Sequence, residues 1–417
     1  MTEPIRVLHF ADTHIGMENY GKTDPQTGLS SRVRDFLRRM DEMVDYARAQ
    51  DVDLVIFAGD AFKTRQPNPT YQREFAHRIR DLSQLAPVVL LVGNHDLPPT
   101  TLKASSVEIY HTLQVPNVWV ADSYELPEAL RVIETRRGPA AVAAAPYPIR
   151  SRLLADERVA GLTIAETDAL LQQAMTDFIE ELAGAADALD MPRLLTGHFT
   201  VDGAVTGSER QIMLGRDVML MRSSLADPRW DYVALGHVHK HQNLTAGQPG
   251  LPPVVYSGSI ERVDFGEEGD PKGFCWVELA RGATRWQFVS VQARPFVTLR
   301  ADLRDSPEPT AELIDLVNEY DLKEAVTRLI LTLTPESEAR LNESAVREAL
   351  RQAGAFQVAG IRREVQEAAR ARLGDNPEGL TPAELLERYL ISKEVPAERR
   401  AELLAAAQPI FEGRTGE

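Results

Sequence analysis

The sequence has one cysteine, Cys275, in 417 residues. No disulfide can close within the chain, and nothing points to an oxidising compartment. No apolar run approaches the roughly 18 residues a bilayer span requires. The opening MTEPIRVLHFADTH meets Asp12 and His14 before any signal-like stretch develops. A cytoplasmic location, with no membrane attachment, is therefore expected. Positive charge is also scarce, with 46 Lys+Arg against 62 Asp+Glu and a net charge of −16. That balance argues against holding a nucleic acid through overall charge, so a polyanionic substrate must be bound by local features. Internal repeats and low-complexity tracts are absent as well, and organisation has to be read from periodicity and breakers.

At 43% hydrophobic and 26% charged residues, the composition is that of a folded protein of two or three domains. Short β-branched or apolar runs recur at Ile5–Phe10, Val52–Ala58, Val88–Val92, Leu194–Leu195, Tyr232–Leu235 and Val254–Tyr256. Their lengths suit buried strands. Between the early runs, Val33, Phe36, Leu37, Met40, Met43, Val44 and Ala47 share one helical face, and Phe75, Ile79 and Leu82 another. A longer helix is predicted over Ile164–Leu189. Alternating strands and helices make an α/β core over residues 1–290. From 291 to 368 the pattern becomes a compact strand–helix–strand–helix–strand alternation, which reads as a small α+β domain. A Gly/Pro/Asn linker over 369–380 leads to a helical segment over 381–412, opened by the capping box Thr381-Pro-Ala-Glu384. Its stripe of Leu385, Leu386, Tyr389 and Leu390, with Leu403, Leu404, Ile410 and Phe411 on the next helix, is too small to bury itself. The pair must fold back or dock on a partner.

Five of the nine histidines follow apolar runs, usually behind a glycine. The clusters are Asp12-Thr-His14, Gly59-Asp60, Gly93-Asn94-His95-Asp96, Gly197-His198 and Gly236-His237-Val-His239. In open α/β sheets the ligand crevice lies at the carboxyl ends of strands, where glycine allows a sharp turn and close approach. These side chains should converge there. Imidazoles mixed with carboxylates and a carboxamide suit a borderline divalent ion such as Mn²⁺, Fe²⁺ or Zn²⁺. Seven candidate ligands (Asp12, His14, Asp60, Asn94, His198, His237 and His239) are too many for one tetrahedral ion and suit two, with Asp60 as the bridge. His9, His77, His111 and His241 lie outside this pattern and are read as structural.

The order D-x-H, G-D, G-N-H-D, G-H and G-H-x-H resembles the calcineurin-like metallophosphoesterase superfamily. More narrowly, the chain is similar to the nuclease subunits of bacterial SbcCD complexes. Three segments support the narrower likeness: Ile15-Gly-Met-Glu-Asn-Tyr-Gly21, Val205-Thr-Gly-Ser-Glu209 and Tyr256–Gly266. The resemblance implies a metallophosphoesterase β-sandwich flanked by helices, with a capping domain and a C-terminal helical tail. It places one metal on Asp12, His14, Asp60 and His239, and the second on Asp60, Asn94, His198 and His237. Two divalent cations, foremost Mn²⁺, would activate a water against a DNA phosphodiester. His95 resembles the catalytic histidine that stabilises the transition state or protonates the leaving 3′ oxygen, with Asp96 orienting its ring. Lys63 departs from the histidine that relatives carry shortly after Gly-Asp. It is read either as a phosphate contact or as a solvated side chain. Arg262 is either a second phosphate contact or a structural partner of Glu261 or Asp264. The resemblance further implies a homodimer, with Met40 and Met43 read either as part of its interface or as ordinary helix-on-sheet packing, and an SbcC-type coiled-coil ATPase bound by the C-terminal helices. The implied activity is duplex-end exonuclease and hairpin or single-strand endonuclease. The competing reading is a stand-alone phosphatase or phosphodiesterase on small substrates.

Overall fold

The computed structural model describes residues 3–98, 103–154, 161–207, 217–366, 380–393 and 395–411. Residues 208 and 209 of the Val205–Glu209 segment, the expected linker up to residue 379, and residue 412 lie outside them. The chain divides into two compact units, one of residues 1–297 with 324–326, the other of residues 298–323 with 327–417.

The first unit is built on two six-stranded sheets. In the first, β1 (Ile5–Phe10), β2 (Leu54–Phe57), β3 (Val88–Leu91) and β4 (Val118–Ala121) run parallel. In the second, β6 (Gly138–Ala145), β7 (Arg193–His198), β10 (Tyr232–Gly236) and β12 (Val254–Tyr256) do the same. Antiparallel strands flank both sets, β13 (Gly273–Leu279) and β14 (Arg285–Ser290) on the first sheet, β5 (Leu130–Thr135) and β11 (Gln242–Asn243) on the second, and a separate two-stranded pair joins β8 (Thr200–Val201) to β9 (Met219–Leu220). The inner faces share one core, in which Val7, Ile56, Val89 and Cys275 meet Val142, Leu194, Ala234 and Val255. Such strands bury both faces, which is why they read as continuous apolar runs.

Helix α1 (Ser31–Ala49) and helix α2 (Pro69–Ser83) cover the outer face of the first sheet. The Ser30 hydroxyl and the Asn68 carboxamide cap their N-termini. The helix Ile164–Asp187 covers the second sheet through Leu171, Met175, Phe178 and Leu182, and opens with a Thr163/Glu166 capping box. Met40 and Met43 are fully buried in the α1 core. Their expected place at a dimer interface is thus corrected, because helix-on-sheet packing uses them completely.

In the second unit a three-stranded sheet pairs in the order Phe296–Asp302, Val326–Leu333, Gln357–Val365. The helices Pro309–Glu319 and Glu343–Gln352 bury Leu313, Val317, Val346 and Leu350. The tail forms a helical hairpin, Pro382–Ser392 and Ala397–Phe411, with the expected Thr381/Glu384 capping box. Leu390 is buried, while Tyr389, Ile391 and Ile410 are 48%, 50% and 70% exposed, so the apolar stripe is only partly covered. Among the described residues no helix is long and apolar enough to cross a membrane.

Candidate metal centre

Parallel strands of both sheets end on the same side, and the residues just past those ends close the sandwich. Asp12 and His14 follow β1, Asp60 follows β2, Asn94 and His95 follow β3, His198 ends β7, and His237 and His239 follow β10. The turns are tight. Asp12, His14, Asp60 and His237 have φ of 53°, 38°, 61° and 95°, a left-handed region that is unfavourable for residues with a Cβ. Backbone strain of this kind persists where surrounding structure imposes it, and it gathers at functional sites. Glycine is required beside them. Gly59 has φ 98°, and a Cβ there would lie 2.4 Å from His198 Nδ1; a Cβ on Gly93 would lie 2.3 Å from Asp60 Oδ1.

The side chains meet around two points. At the first, His14 Nε2 and His239 Nε2 face each other at 2.9 Å, and ligand atoms of Asp12, His14 and His239 all lie within 4.8 Å of one another. At the second, Asn94 Oδ1 lies 3.0 Å from both His198 Nε2 and His237 Nδ1, and Asp12, Asp60 and His198 form a further such group. Asp60 stands between, with Oδ2 3.9 Å from His14 Nε2 and Oδ1 3.4 Å from His198 Nε2. Asp12, His14, Asp60, His198, His237 and His239 are all buried. Two imidazole nitrogens aimed at each other can share at most one proton, so a cation satisfies this donor set better than protons do. In three of the four rings the opposite nitrogen is fixed: His198 Nδ1–H donates to the Ala58 carbonyl at 2.6 Å, His237 Nε2–H to Asp217 at 2.5 Å and His239 Nδ1–H to Glu267 at 2.7 Å. Each bond turns the ring's other nitrogen toward the centre.

Charge and burial compete here. Burial raises Asp12 above its ordinary value against the pull of His198 and His239. Burial would do the same to Asp60, but the imidazoles of His198, His95 and His14 hold it well below the carboxylate range. His14 is pushed well below the usual imidazole value by burial and by His239, which keeps it neutral. His198 is buried too, yet the Asp60 carboxylate beside it raises it to about 9.

His95 is brought into the same cluster, grouped with His14 and Asp60. Its main-chain N–H donates to Asp60 Oδ1 at 2.8 Å, and its Nδ1 lies 2.9 Å from the Lys63 carbonyl. The expected orienting role of Asp96 is corrected on this point, since the Lys63 main chain holds the ring. Asp96 instead accepts from the N–H groups of Asp60, Ala61 and Gly93 and from the Ser106 hydroxyl, tying the β2 and β3 loops together. Its burial, with the Asp60 charge nearby, raises it to about 7. Arg262 is also corrected as a DNA contact. It is part-buried, and its guanidinium donates to the carbonyls of Glu267, Glu268, Asp270 and Arg294, leaving no fork for a phosphate. The Lys63 ammonium has no carboxylate partner among the described residues and lies near enough to oppose charging of His14.

The histidines read as structural include His9, buried between the sheets against Tyr232 and the Leu235 carbonyl, and His241, stacked on Phe288 at 4.0 Å. Sequence reading missed Glu267, Lys272, Asp217, Tyr147 and Thr200, which stand behind the ligand histidines. None has a motif position, and only the fold brings them there.

A family model described as calcineurin-like phosphoesterase matches residues 5–241. The chain is 29% identical over 313 residues to the SbcD component of the SbcCD nuclease of Escherichia coli (strain K12), covering 72% of each chain. It is 28% identical over 308 residues to the protein of the same name from Bacillus subtilis (strain 168), covering 71% of this chain and 72% of the relative. The matched span runs through both sheets and contains every strand-end residue from Asp12 to His239; the chain belongs to the calcineurin-like phosphoesterase family.

Proposed function

We propose that the chain is the nuclease subunit of an SbcCD-type complex, hydrolysing DNA phosphodiesters with two divalent cations, foremost Mn²⁺. It would act exonucleolytically on duplex ends and endonucleolytically on hairpins and single strands. The observation that carries this reading is the convergence of strand-end donors from both sheets on two points with Asp60 between them. Asp12, His14, Asp60 and His239 would hold one cation, and Asp60, Asn94, His198 and His237 the other. Two ions held there would supply Lewis-acid polarisation of a phosphoryl oxygen and lower the pKa of a water for in-line displacement. They also supply positive charge that a −16 chain otherwise lacks.

The chain's own residues do the rest. With Nδ1–H held by the Lys63 carbonyl, the His95 ring presents Nε2 as the atom that hands a proton to the leaving 3′ oxygen. The Lys63 ammonium, without a carboxylate partner among the described residues, would meet a phosphate oxygen. Exposed Tyr389, Ile391 and Ile410 on the helical hairpin suit groove docking on a coiled-coil ATPase. Pairing of two copies of the chain belongs to the same reading.

The test is Mn²⁺-dependent degradation of end-labelled linear duplex and hairpin DNA, with and without the ATPase partner, beside a generic phosphodiester dye. Cutting of both DNAs, lost in His95→Ala and Asp60→Ala, is expected. Turnover of the dye alone, with the partner present, refutes the nuclease assignment.

A further inference from the structure

Two carboxylates stand behind the ligand imidazoles, Glu267 fully buried and Asp217 part-buried, and they are built differently. Glu267 accepts from His239 Nδ1–H at 2.7 Å and from the Val263 N–H at 2.9 Å. Its other partner is Lys272, whose ammonium lies 2.8 Å away with both side chains fully buried. That ammonium also donates to the main-chain carbonyl of His239 at 3.2 Å and to the Ser259 hydroxyl at 2.8 Å. One member of the pair therefore holds the ring of His239, and the other holds its backbone. Gly258, with φ 76°, lets the 257–259 segment pass this close: a Cβ there would lie 2.8 Å from the same carbonyl.

Asp217, behind His237, has no cation partner among the described residues. It takes hydrogen bonds from the Tyr147 and Thr200 hydroxyls at 2.8 and 2.7 Å, and its side chain is 10% exposed where that of Glu267 is 0%.

A buried ion pair is a poor stability device, because desolvating both charges offsets most of their attraction. What the pair does fix is the tautomer and direction of one imidazole: Nδ1 carries the proton and Nε2 faces His14 Nε2. We propose that Glu267, clamped by Lys272, is a positioning residue for the cation held by Asp12, His14 and His239, and that it makes this position the tighter of the two. The proposal rests on the two-cation reading above. The Asp217 side, with no counter-cation among the described residues and nearer solvent, is the weaker position.

The test is a Mn²⁺ titration of the full-length, chelator-stripped protein, with free Mn²⁺ followed by its electron paramagnetic resonance signal. The wild type should take up two equivalents in two steps. Glu267→Gln should weaken the tighter step about 10- to 100-fold and spare the other, the usual size for loss of such a partner. Asp217→Asn should weaken only the other step. Glu267→Gln leaves Lys272 buried and unpaired, so the double variant Glu267→Gln/Lys272→Met, which removes both charges, is measured beside it and should show the same selective loss. Wild-type affinity at both steps in these variants overturns the proposal. Equal weakening of both steps shows a general structural role and overturns it too. Fewer than two equivalents in the wild type defeats the two-cation reading itself, a result distinct from either.

Discussion

In the metal-free protein His198 and Asp60 form a buried pair at 3.4 Å. The carboxylate outweighs burial and raises the imidazole to about 9, whereas in the unfolded chain the ring titrates near its ordinary value of about 6.5. A base whose folded value lies above its unfolded one contributes stability that is complete below the unfolded value and lost as pH rises through the folded value. The window is therefore pH 6.5 to 9, and the gap corresponds to about 3 kcal/mol. For a body of this size that is a fall of about 5 °C in thermal midpoint. The assay is thermal unfolding of chelator-treated protein across that window, wild type against Asp60→Asn. Without the Asp60 charge, the weaker upward pulls of Asp12 and the Ala58 carbonyl are left against burial, so the rise shrinks and the variant should show a much smaller fall. Saturating Mn²⁺ should reverse the slope in the wild type, because His198 Nε2 must lose its proton before it can ligate. Parallel curves for wild type and Asp60→Asn in the metal-free state would refute the reasoning.

Asp96→Asn places an amide among the donating N–H groups of Asp60, Ala61 and Gly93. A loss of about 2–4 kcal/mol is expected in denaturant unfolding of the metal-free protein, and an unchanged midpoint contradicts the tying role. Arg262→Ala strips the guanidinium from four carbonyls. It should destabilise by about 2–3 kcal/mol and leave the salt dependence of DNA binding unchanged. A slope reduced by about one would instead return Arg262 to a phosphate. Gly59→Ala would set a Cβ 2.4 Å from His198 Nδ1 at φ 98°. It should abolish most of the thermal shift that Mn²⁺ gives the wild type, and a full shift would show that the turn tolerates a side chain.

The strand-end histidines were legible because buried parallel strands read as unbroken apolar runs and their ends carry the glycines. Ile5–Phe10 and Val254–Tyr256 fall at the expected bounds. The helix expected over Ile164–Leu189 ends two residues earlier, at Asp187. Strands were missed where that signal fails. Gly138–Ala145 is mostly alanine, a residue depleted in strands, and is strand by burial between neighbours. Leu130–Thr135 is a largely exposed edge. Side-chain roles were less legible than positions. Asp96 and His95 are adjacent in sequence, but the ring of one joins the ligand cluster while the carboxylate of the other ties main-chain N–H groups together. Lys63 reaches His95 through a carbonyl, which any residue would offer. The Glu267–Lys272 pair has meaning only once the loop after β12 folds back on His239.

The central claim is that the crevice holds two cations with Asp60 between them. Anomalous diffraction from crystals grown with Mn²⁺, at the manganese edge, tests it most directly. Two peaks about 3.5–4 Å apart are predicted, one against His14 and His239, the other against Asn94, His198 and His237. A single peak, or peaks away from Asp60, would contradict the account.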